Sequence, residues 1–477
     1  MKRSDVGFGV IVSTRGFFNP ELAHEGRMQL LDKLGSMGYE AICLDESETR
    51  YGLVETMGDA QKCAELFRKN AEKIQGIIVC LPNFGDEVGV VSAIDKAGLR
   101  VPVLVQACDD ERDKMDLAGR RDAFCGKISV CNNLNQYGIK YTNTTYHTCA
   151  IGSEVFTEDI RNFAKVCRIT AGLRGLRVAQ MGTRPAAFQT VRYSEKLLQT
   201  LGIQVIPVDM SEIIFAAGKM EMTEDVAAAV DKIKSYGRLE AGVQEENIVK
   251  QAKLYVTVRD WMIENDCRTG TIQCWDSLQI NYGCAACLTM SMLGEEGMPM
   301  ACEVDVMGAV TMYAMYLASG SPSGYLDWNN SFGEDRDMCI GIHCSNFPKS
   351  FIDGDFEIGS LDILGNSLGK ENCFGACKTV VAPGEMTYAK ISTDDVKGSV
   401  KMYVGEGSFV EDEIDTLGGV AICRVPALQP LMDYICSNGF EHHVAMNRGH
   451  SADVLAEALG KYMGVDVYCH HGKGAIR

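Results

Sequence analysis

Short runs of apolar, often β-branched residues alternate with longer amphipathic stretches through the first third of the chain. The apolar runs are continuous rather than alternating, which is typical of strands covered on both faces of a sheet. The stretches between them are long enough for crossover helices. The pattern therefore predicts a parallel α/β domain at residues 1–167. Its predicted strands are 7–13, 40–45, 76–82 and 101–106.

The same rhythm starts again after about residue 167 and predicts a second parallel α/β domain at 168–346. Its predicted strands are 176–182, 203–209, 271–275 and 298–305. Beyond residue 347 the apolar segments become short and alternating, with Gly, Asp and Pro turns between them, which indicates antiparallel strands. The predicted fold is therefore α/β: two N-terminal Rossmann-like parallel-sheet domains, then a C-terminal antiparallel β-rich domain at 347–477.

The net charge and the shortness of the apolar runs argue against nucleic acid and a lipid membrane as partners. The 477 residues carry 46 Lys and Arg against 64 Asp and Glu, a formal net charge of −18, and no basic run reverses it locally. A phosphate backbone would be repelled, so nucleic acid is not an expected partner. The Met-rich stretch 304–318 is interrupted by Asp305 and Gly308 and is shorter than the roughly 20 residues of a membrane span. With no apolar leader at the N-terminus, we expect a cytoplasmic protein that does not enter the membrane.

Twenty cysteines are spread over the whole chain. In a long chain without an export signal they favour reduced thiols over a disulfide framework. Two close pairs, Cys284 with Cys287 and Cys373 with Cys377, could be halves of a zinc or iron–sulfur site. Their separation favours the alternative, in which they are small buried thiols.

Acidic and imidazole side chains follow several of the predicted strands. Ligands of open α/β sheets bind beyond the carboxyl ends of strands. Candidate residues at such points are Glu303, Asp305, Asp327, His343 and the adjacent pair His442 and His443. Carboxylates with imidazoles suit Mn²⁺ or a similar divalent ion. Spacing alone leaves alternatives open, because Asp305 can equally cap the helix that follows it and adjacent histidines are a weak metal signal.

Four stretches of the sequence carry a resemblance to a known family. They are 177–213 (RVAQMGTRPAAFQ and onward), 301–328 (ACEVDVMGAV and onward), 343–348 (HCSNFP) and 441–471 (EHHVAMNRGH and onward). Together they resemble the L-fucose isomerase and L-arabinose isomerase family. The resemblance implies two α/β domains and a β-rich domain in a homo-oligomer, often a hexamer. It also implies Mn²⁺-dependent interconversion of an aldose and a ketose, with Co²⁺ or Mg²⁺ as alternative ions.

The same resemblance implies roles for individual residues. Glu303 and Asp327 match the family's two carboxylates, which bind the metal and act as acid and base around a cis-enediolate. His443, chosen over His442 because of the interval to His450, matches the metal histidine. His343 matches a further histidine that ligates metal in the arabinose branch.

Substrate contacts transfer from the family as well. Gln273 matches a glutamine that reaches the sugar, and Trp275 lies close to it in sequence. Arg15 resembles an arginine that enters a neighbouring subunit's site in the fucose branch. Asn83, or the adjacent Phe84, follows a strand where the family presents an aromatic residue to the substrate. Core packing is the alternative for the aromatic residues, and a surface salt bridge is the alternative for Arg15.

Two other functions use a similar architecture. A sugar-binding sensor would have two α/β domains but would need no metal, and a metal-dependent aldolase or dehydratase could use the same ligands. The sequence does not identify which sugar is the substrate. Arg15, Arg184 and Lys349 are candidates to bind an anionic substituent, which would fit an acidic or sulfonated sugar.

Overall fold

The computed structural model describes residues 6–471, so the predicted domain ends at residues 1 and 477 lie outside the described part. The chain divides into two compact units, one up to Ala171 and one from Gly172. This division lies close to the boundary predicted after residue 167. The further boundary predicted after residue 346 stays a prediction.

The first unit is a parallel five-stranded sheet with the strand order β2-β1-β3-β4-β5 and helices between the strands. Its elements are β1 (Gly7–Val12), α1 (Pro20–Ser36), β2 (Glu40–Ile42), α2 (Met57–Lys69), β3 (Gly76–Leu81), α3 (Glu87–Ala97), β4 (Val103–Ala107), α4 (Ala123–Gln136), β5 (Thr142–Asn143) and α5 (Glu154–Leu173).

The central strands β1, β3 and β4 are buried along their whole length, as the continuous apolar runs predict. The order reverses direction between β1 and β3. In doubly wound sheets this switch point is where ligands bind, at the carboxyl ends of the strands. Arg15 follows β1 and Asn83 follows β3, so both predicted substrate contacts lie at the switch point of this sheet.

The second unit begins with another parallel sheet, in the strand order β10-β9-β6-β7. This part contains β6 (Arg177–Met181), α6 (Glu195–Thr200), β7 (Gln204–Val208), α7 (Met210–Lys219), α8 (Glu224–Tyr236), β8 (Arg238–Leu239), α9 (Glu245–Glu264), β9 (Thr269–Ile272), α10 (Ser277–Asn281), α11 (Cys287–Glu295), β10 (Met300–Ala301) and α12 (Val306–Ser319). Strand β10 is much shorter than the run 298–305 predicts, because the backbone turns out of the sheet at Glu303.

The remaining nine strands and β8 form a mostly antiparallel sheet of ten strands. A pairing between β16 and β17 closes six of them, β16-β15-β18-β11-β12-β17, into a ring. The elements are β11 (Ser323–Ser331), β12 (Met338–His343), α13 (Lys349–Ile352), β13 (Glu357–Ser360), α14 (Asp362–Leu368), β14 (Phe374–Val380), β15 (Gly384–Asp394), β16 (Ser399–Phe409), β17 (Gly419–Arg424), α15 (Leu428–Ser437), β18 (His443–Arg448), α16 (Ala452–Ala456) and β19 (Asp466–His470).

The Met-rich helix α12 is the centre of the second unit. It is apolar and buried on almost every side, and it packs on β9 and β10 of the parallel sheet and on β11, β15 and β18 of the larger sheet. Among residues 6–471 no helix is long and apolar enough to span a membrane. The predicted fold class is confirmed: two parallel α/β sheets are followed by a β-rich, mainly antiparallel part. The N-terminus of α12 lies where these layers meet.

Candidate active site

Glu303 lies on the short turn between β10 and α12. Glu303 and Val304 both have positive φ angles, 55° and 58°. Left-handed backbone is unfavourable for side chains with a Cβ, especially β-branched ones, and costs on the order of 1–3 kcal/mol per residue. Two such residues in succession turn the chain sharply at the strand end, and the Glu303 side chain is buried there.

Three neighbouring strands of the ring bring the other predicted ligands to the same place. Asp327 on β11 is directly opposite His443, the first residue of β18. His343 is the last residue of β12, which pairs with the other edge of β11. Because directly opposite residues point to the same face of a sheet, Asp327 and His443 converge. His343 follows Ile342, the residue directly opposite Asp327, and reaches the cluster from the end of its strand.

The distances between the converging side chains are short. Oε2 of Glu303 lies 3.0 Å from Nε2 of His443 and 3.7 Å from Nε2 of His343. Nε2 of His443 is also 3.4 Å from Oδ1 of Asp327. Glu303, His343 and His443 each offer a ligand atom within 4.8 Å of the others, as do Asp327, His442 and His443.

The facing atoms are buried and have no hydrogen-bond partner among residues 6–471. This holds for Oε2 of Glu303, Oδ1 of Asp327 and Nε2 of His443. Buried polar atoms are almost always paired, so these facing atoms need a positive charge among them, which a proton on His443 or a bound metal ion would supply. Two carboxylates and an imidazole are the donors that Mn²⁺ and similar ions take. The residues present therefore fit a divalent metal ion.

Behind His443 lies a second, fully satisfied network. Nδ1 of His443 is 3.0 Å from Oδ2 of Asp305, and the same oxygen accepts from Nζ of Lys390 at 2.5 Å and from the hydroxyl of Tyr325. The other carboxylate oxygen of Asp305 accepts from the backbone N–H of Gly308 at 2.8 Å. Asp305 is therefore both the N-cap of α12 and the partner of His443, so the capping alternative is confirmed without excluding a role at the site.

The electrostatics follow from this arrangement. Burial by itself raises the pKa of Glu303, but the imidazoles of His343 and His443 outweigh it and hold that pKa well below its ordinary value. Burial likewise opposes ionisation of Asp305, whose pKa is nevertheless lowered by Lys390 and His443. Burial lowers the pKa of His443, while Asp305 and Glu303 together raise it to about 9. Glu303 and Asp305 are therefore ionised at neutral pH.

The two adjacent histidines have different surroundings. His443 is fully buried between Asp305 and Glu303, whereas the His442 side chain is 43% exposed and only approaches Oδ1 of Asp327, at 3.7 Å. Desolvation, followed by the neighbouring His443, lowers the pKa of His442. The geometry favours His443 as the ligand, in line with the sequence interval.

A cavity of about 180 Å³ opens onto the cluster. Glu303, Asp327 and His343 line it together with Trp275 and Phe188. The indole N–H of Trp275 is buried and has no acceptor in the described part of the chain, so it is available as a donor. The Phe188 ring lies edge-on to Trp275, with the ring centroids 5.0 Å apart.

Gln273 lies beside this cavity in a larger cleft that Trp275 also lines. Its Oε1 accepts from the backbone N–H of Thr183 at 3.1 Å, which holds the amide against the loop after β6. Gly182 in that loop has a φ of 85°, and a Cβ there would lie 2.6 Å from Oε1 of Gln273. Only glycine allows the loop to approach so closely.

Arg15 and Asn83 belong to the first unit. Arg15 forms an ion pair with Glu87 at 2.5 Å and lies over the ring of Phe84, 4.3 Å from its centroid. Asn83 is fully buried and its amide donates to Thr14 and to the backbone oxygen of Asn19. Both stay predictions as substrate contacts.

Three residues near the site were not expected from the sequence. Lys390 and Tyr325 support His443 through Asp305, and Phe188 covers the cavity. The alternation of β15 carries no signal for Lys390, because the strand is buried on both faces around it. Phe188 lies in a loop without periodicity, and no signal would have found it.

The cysteine pairs do not form a metal site in the described residues. Cys284, Cys287, Cys373 and Cys377 are buried and free, and no group of three metal-ligating atoms includes them. A different cysteine touches the candidate site: Sγ of Cys274 lies 3.9 Å from Oε1 of Glu303. The thiol therefore contacts the carboxylate oxygen that does not face His443.

Comparisons with known proteins identify the family. Residues 9–174 match the family described as Fucose/sulfoquinovose isomerase, N-terminal domain, and residues 341–471 match the one described as L-fucose isomerase, C-terminal domain. Together the two matches cover more than half of the chain.

Individual relatives are more distant. A sulfoquinovose isomerase of Priestia aryabhattai is 23% identical over 307 residues, which are 63% of this chain and 66% of the relative. One of Alkalicoccus urumqiensis is 26% identical over 192 residues, 39% of this chain and 42% of the relative. The matches thus span just under two thirds, or less, of these relatives. A solved glucose-galactose binding protein from Geobacillus stearothermophilus is 14% identical over 67% of this chain and 93% of its own, with a TM-score of 0.15, too low to bear on the fold.

Proposed function

This chain belongs to the fucose/sulfoquinovose isomerase family, and on that premise we propose that it interconverts an aldose and its ketose with a divalent metal ion. Mn²⁺ is the proposed ion, with Co²⁺ or Mg²⁺ as alternatives. Glu303, Asp327 and His443 are the proposed ligands, and His343 is a fourth candidate.

One observation carries the proposal. Buried atoms of two carboxylates and an imidazole, without hydrogen-bond partners in the described part of the chain, face one another at 3.0 and 3.4 Å beside a cavity that has room for a small molecule. A sensor that only binds sugar has no need for such a cluster, because its polar groups would be satisfied by one another or by the ligand. The cluster therefore favours catalysis over simple binding.

Aldose to ketose conversion moves a proton between C2 and C1 through an enediolate. A divalent ion supplies Lewis acidity toward the sugar oxygens when it is bound. Glu303 and Asp327 supply the acid and base, because each presents a carboxylate oxygen to the same cavity. His443 would hold the ion as a neutral imidazole, through Nε2, because Asp305 accepts the hydrogen on Nδ1.

The aromatic side chains around the cavity would limit the access of water. Phe188 and Trp275 close one side of the cavity, so bulk water has less access to the enediolate. The free indole N–H of Trp275 and the amide nitrogen of Gln273 are the proposed donors to the sugar hydroxyls. These are orienting contacts and take no part in the proton transfer.

The relatives are named for sulfoquinovose, a glucose-derived aldose with a sulfonate at C6. We therefore propose a sulfonated aldose as the first substrate to test, and neutral aldoses such as L-fucose and L-arabinose as alternatives. We also propose a cytoplasmic homo-oligomer in which Arg15 serves a neighbouring subunit's site. On that proposal an isolated monomer is inactive, which sedimentation combined with an activity assay would check.

The decisive experiment uses metal-stripped protein with and without added Mn²⁺ and a panel of neutral and sulfonated aldoses. Ketose formation and deuterium incorporation from solvent at C1 or C2 are measured. Mn²⁺-dependent ketose formation supports the isomerase. Exchange without ketose, or loss of carbon or water from the sugar, would indicate the aldolase or dehydratase. Binding without either would indicate a sensor.

A further inference from the structure

We propose that Arg184 and Arg192 form a subsite for the anionic group at the far end of the sugar, so that they select a sulfonated aldose over its neutral counterpart. This inference rests on the proposed isomerase function and names the residues that would give it substrate specificity. It is carried by the position of the two arginines, by their hydrogen bonds and by the charges around them.

Both arginines belong to the loop that connects β6 to α6, and so does Phe188. The Phe188 ring centroid lies 6.4 Å from that of His443 and 5.0 Å from that of Trp275, so this loop reaches the metal ligands. Nη1 of Arg184 contacts the backbone oxygen of Phe188 at 3.5 Å. The guanidinium of Arg184 therefore contacts the backbone of the residue whose ring covers the candidate site.

The arginines line a cleft of about 1590 Å³. Gln273 and Trp275 line the same cleft, and Trp275 also lines the small cavity of the metal ligands. A substrate whose C1 and C2 lie at Glu303 and Asp327 would pass Trp275 and extend its other end into the cleft. That end is where an aldose carries a C6 substituent.

The hydrogen bonds of Arg184 keep it in place while leaving it free to bind an anion. Its Nη1 donates to the backbone oxygens of Pro185 and Ala186 as well as Phe188, at 3.2 to 3.5 Å. Arg192 donates through Nε to the backbone oxygen of Gln189 at 3.2 Å. Within residues 6–471 neither guanidinium has a carboxylate at ion-pair distance, and each keeps N–H groups that are not used in these bonds.

The other cations of the cleft are already paired. Lys401 and Lys397 lie 3.4 and 3.9 Å from Asp394. Carboxylates of Glu195, Asp276 and Asp395 line the cleft too, so it does not attract anions through net charge. Recognition would instead depend on the geometry of the two free guanidinium groups. Lys349, the other second-unit candidate for an anion, is not among the residues that line this cleft.

The chemistry of the guanidinium fits a sulfonate. A planar fork of N–H donors matches two oxygens of a tetrahedral oxyanion and is more weakly hydrated than an ammonium group. Backbone carbonyls fix Arg184 before the substrate arrives, so less side-chain freedom is lost on binding. Two arginines on one loop can share the three sulfonate oxygens.

The test compares sulfoquinovose with quinovose, which is the same sugar without the sulfonate. We expect wild-type protein with Mn²⁺ to prefer sulfoquinovose. Arg184→Met and Arg192→Met should each raise KM for sulfoquinovose about 10- to 100-fold, which is the expected loss of a charged hydrogen bond. The kcat for sulfoquinovose and both constants for quinovose should change little, because the metal end is untouched.

Arg336→Met is the matched control. Arg336 is an exposed arginine of the β11–β12 connection, outside the cleft and without a carboxylate at ion-pair distance among the described residues. It should leave both substrates unaffected. Salt supplies a second readout: KM for sulfoquinovose should rise with NaCl in the wild type and much less in the Arg184→Met, Arg192→Met double variant.

The outcomes separate this inference from the proposed function. Equal kcat/KM for the two sugars in the wild type would overturn the subsite while leaving the isomerase in place. Equal losses on both sugars in the arginine variants would also overturn it, because the residues would then act on the fold or on the whole site. No turnover of any aldose with Mn²⁺ would overturn the function and the subsite together.

Discussion

Nδ1 of His443 lies 3.0 Å from Oδ2 of Asp305, on the side of the imidazole opposite the candidate metal site. An ionised carboxylate can only accept, so the ring keeps a hydrogen on Nδ1, and in its neutral, metal-binding form it turns the Nε2 lone pair toward Glu303 and Asp327. Carboxylate–histidine pairs of this kind fix the orientation of metal-ligating imidazoles. The capping residue of α12 is thereby also a positioning residue for the candidate ligand.

Replacing either carboxylate of the cluster should remove catalysis without unfolding the protein. Glu303→Gln and Asp327→Asn keep the side-chain shape but remove a charge and a metal ligand. We expect kcat to fall at least about 10³-fold, because acid–base catalysis and metal binding are lost together. Ketose formation and Mn²⁺ binding are measured, with thermal unfolding as the control. Wild-type turnover in either variant would refute the assignment.

Asp305→Asn tests the support of His443. The amide can still cap α12, but the buried ammonium of Lys390 loses its partner, which should cost about 3 kcal/mol of unfolding free energy. Mn²⁺ affinity should fall about 10- to 100-fold. Adding Lys390→Met should restore much of the stability but not the metal affinity, and urea unfolding with Mn²⁺ titration separates the two. If the double variant regains full affinity, Asp305 has no positioning role.

Metal binding should release a proton. Asp305 and Glu303 raise the pKa of His443 to about 9, so its imidazole is protonated at neutral pH in the metal-free protein. Only the neutral imidazole binds metal, so the Kd for Mn²⁺ should fall about tenfold per pH unit as pH rises toward 9, and level off above it. Mn²⁺ titrations from pH 6.5 to 9.5 measure this. His450→Gln, at an exposed histidine, should behave as wild type, and a flat pH profile would contradict the prediction.

Gly182→Ala should disturb Gln273. The added Cβ would meet Oε1 of Gln273 at 2.6 Å, on a backbone with a φ of 85°. We expect KM to rise several-fold while Mn²⁺ binding stays unchanged, because the glutamine is displaced and the metal ligands are not. Gly333→Ala is the control, with a φ of 66° and no atom within 4 Å of its Cβ. It should lower stability by about 1 kcal/mol and leave KM alone. Equal KM in both variants would exclude a substrate role for the Gln273 contact.

The alternation of apolar runs was sufficient to predict both parallel sheets, because strands covered on two faces leave a continuous apolar signature. It was less reliable where the chain leaves the sheet early. The pattern predicts one strand over 298–305, yet β10 ends at Ala301. Glu303 and Val304, which follow it, have left-handed backbone conformations. Nothing in local propensity predicts left-handed backbone at a valine, since only the surrounding packing can hold it there.

The candidate metal ligands could be predicted from the sequence, but from evidence other than the apolar pattern. Glu303, Asp327 and His443 were named from strand ends and from family resemblance, and their side chains do converge. The residues that support these ligands could not be predicted in this way. Lys390 is 85 positions from Asp305, and Phe188 reaches Trp275 from an irregular loop. Contacts of this length depend on how β15 and the β6–α6 loop pack against α12 and β9.

By itself, the sequence determined the order of helices and strands, the sign of the overall charge and which carboxylates and imidazoles end strands, because these follow from local pattern and composition. Only the tertiary structure decided that His443 rather than His442 is buried against Glu303 and that Asp305 holds the Nδ1 atom of His443. It also decided that two arginines without an ion pair among the described residues share a cleft with Trp275. The physical reason is that burial and pairing are properties of the packed chain, in which strands distant in sequence, β11, β12 and β18, become neighbours.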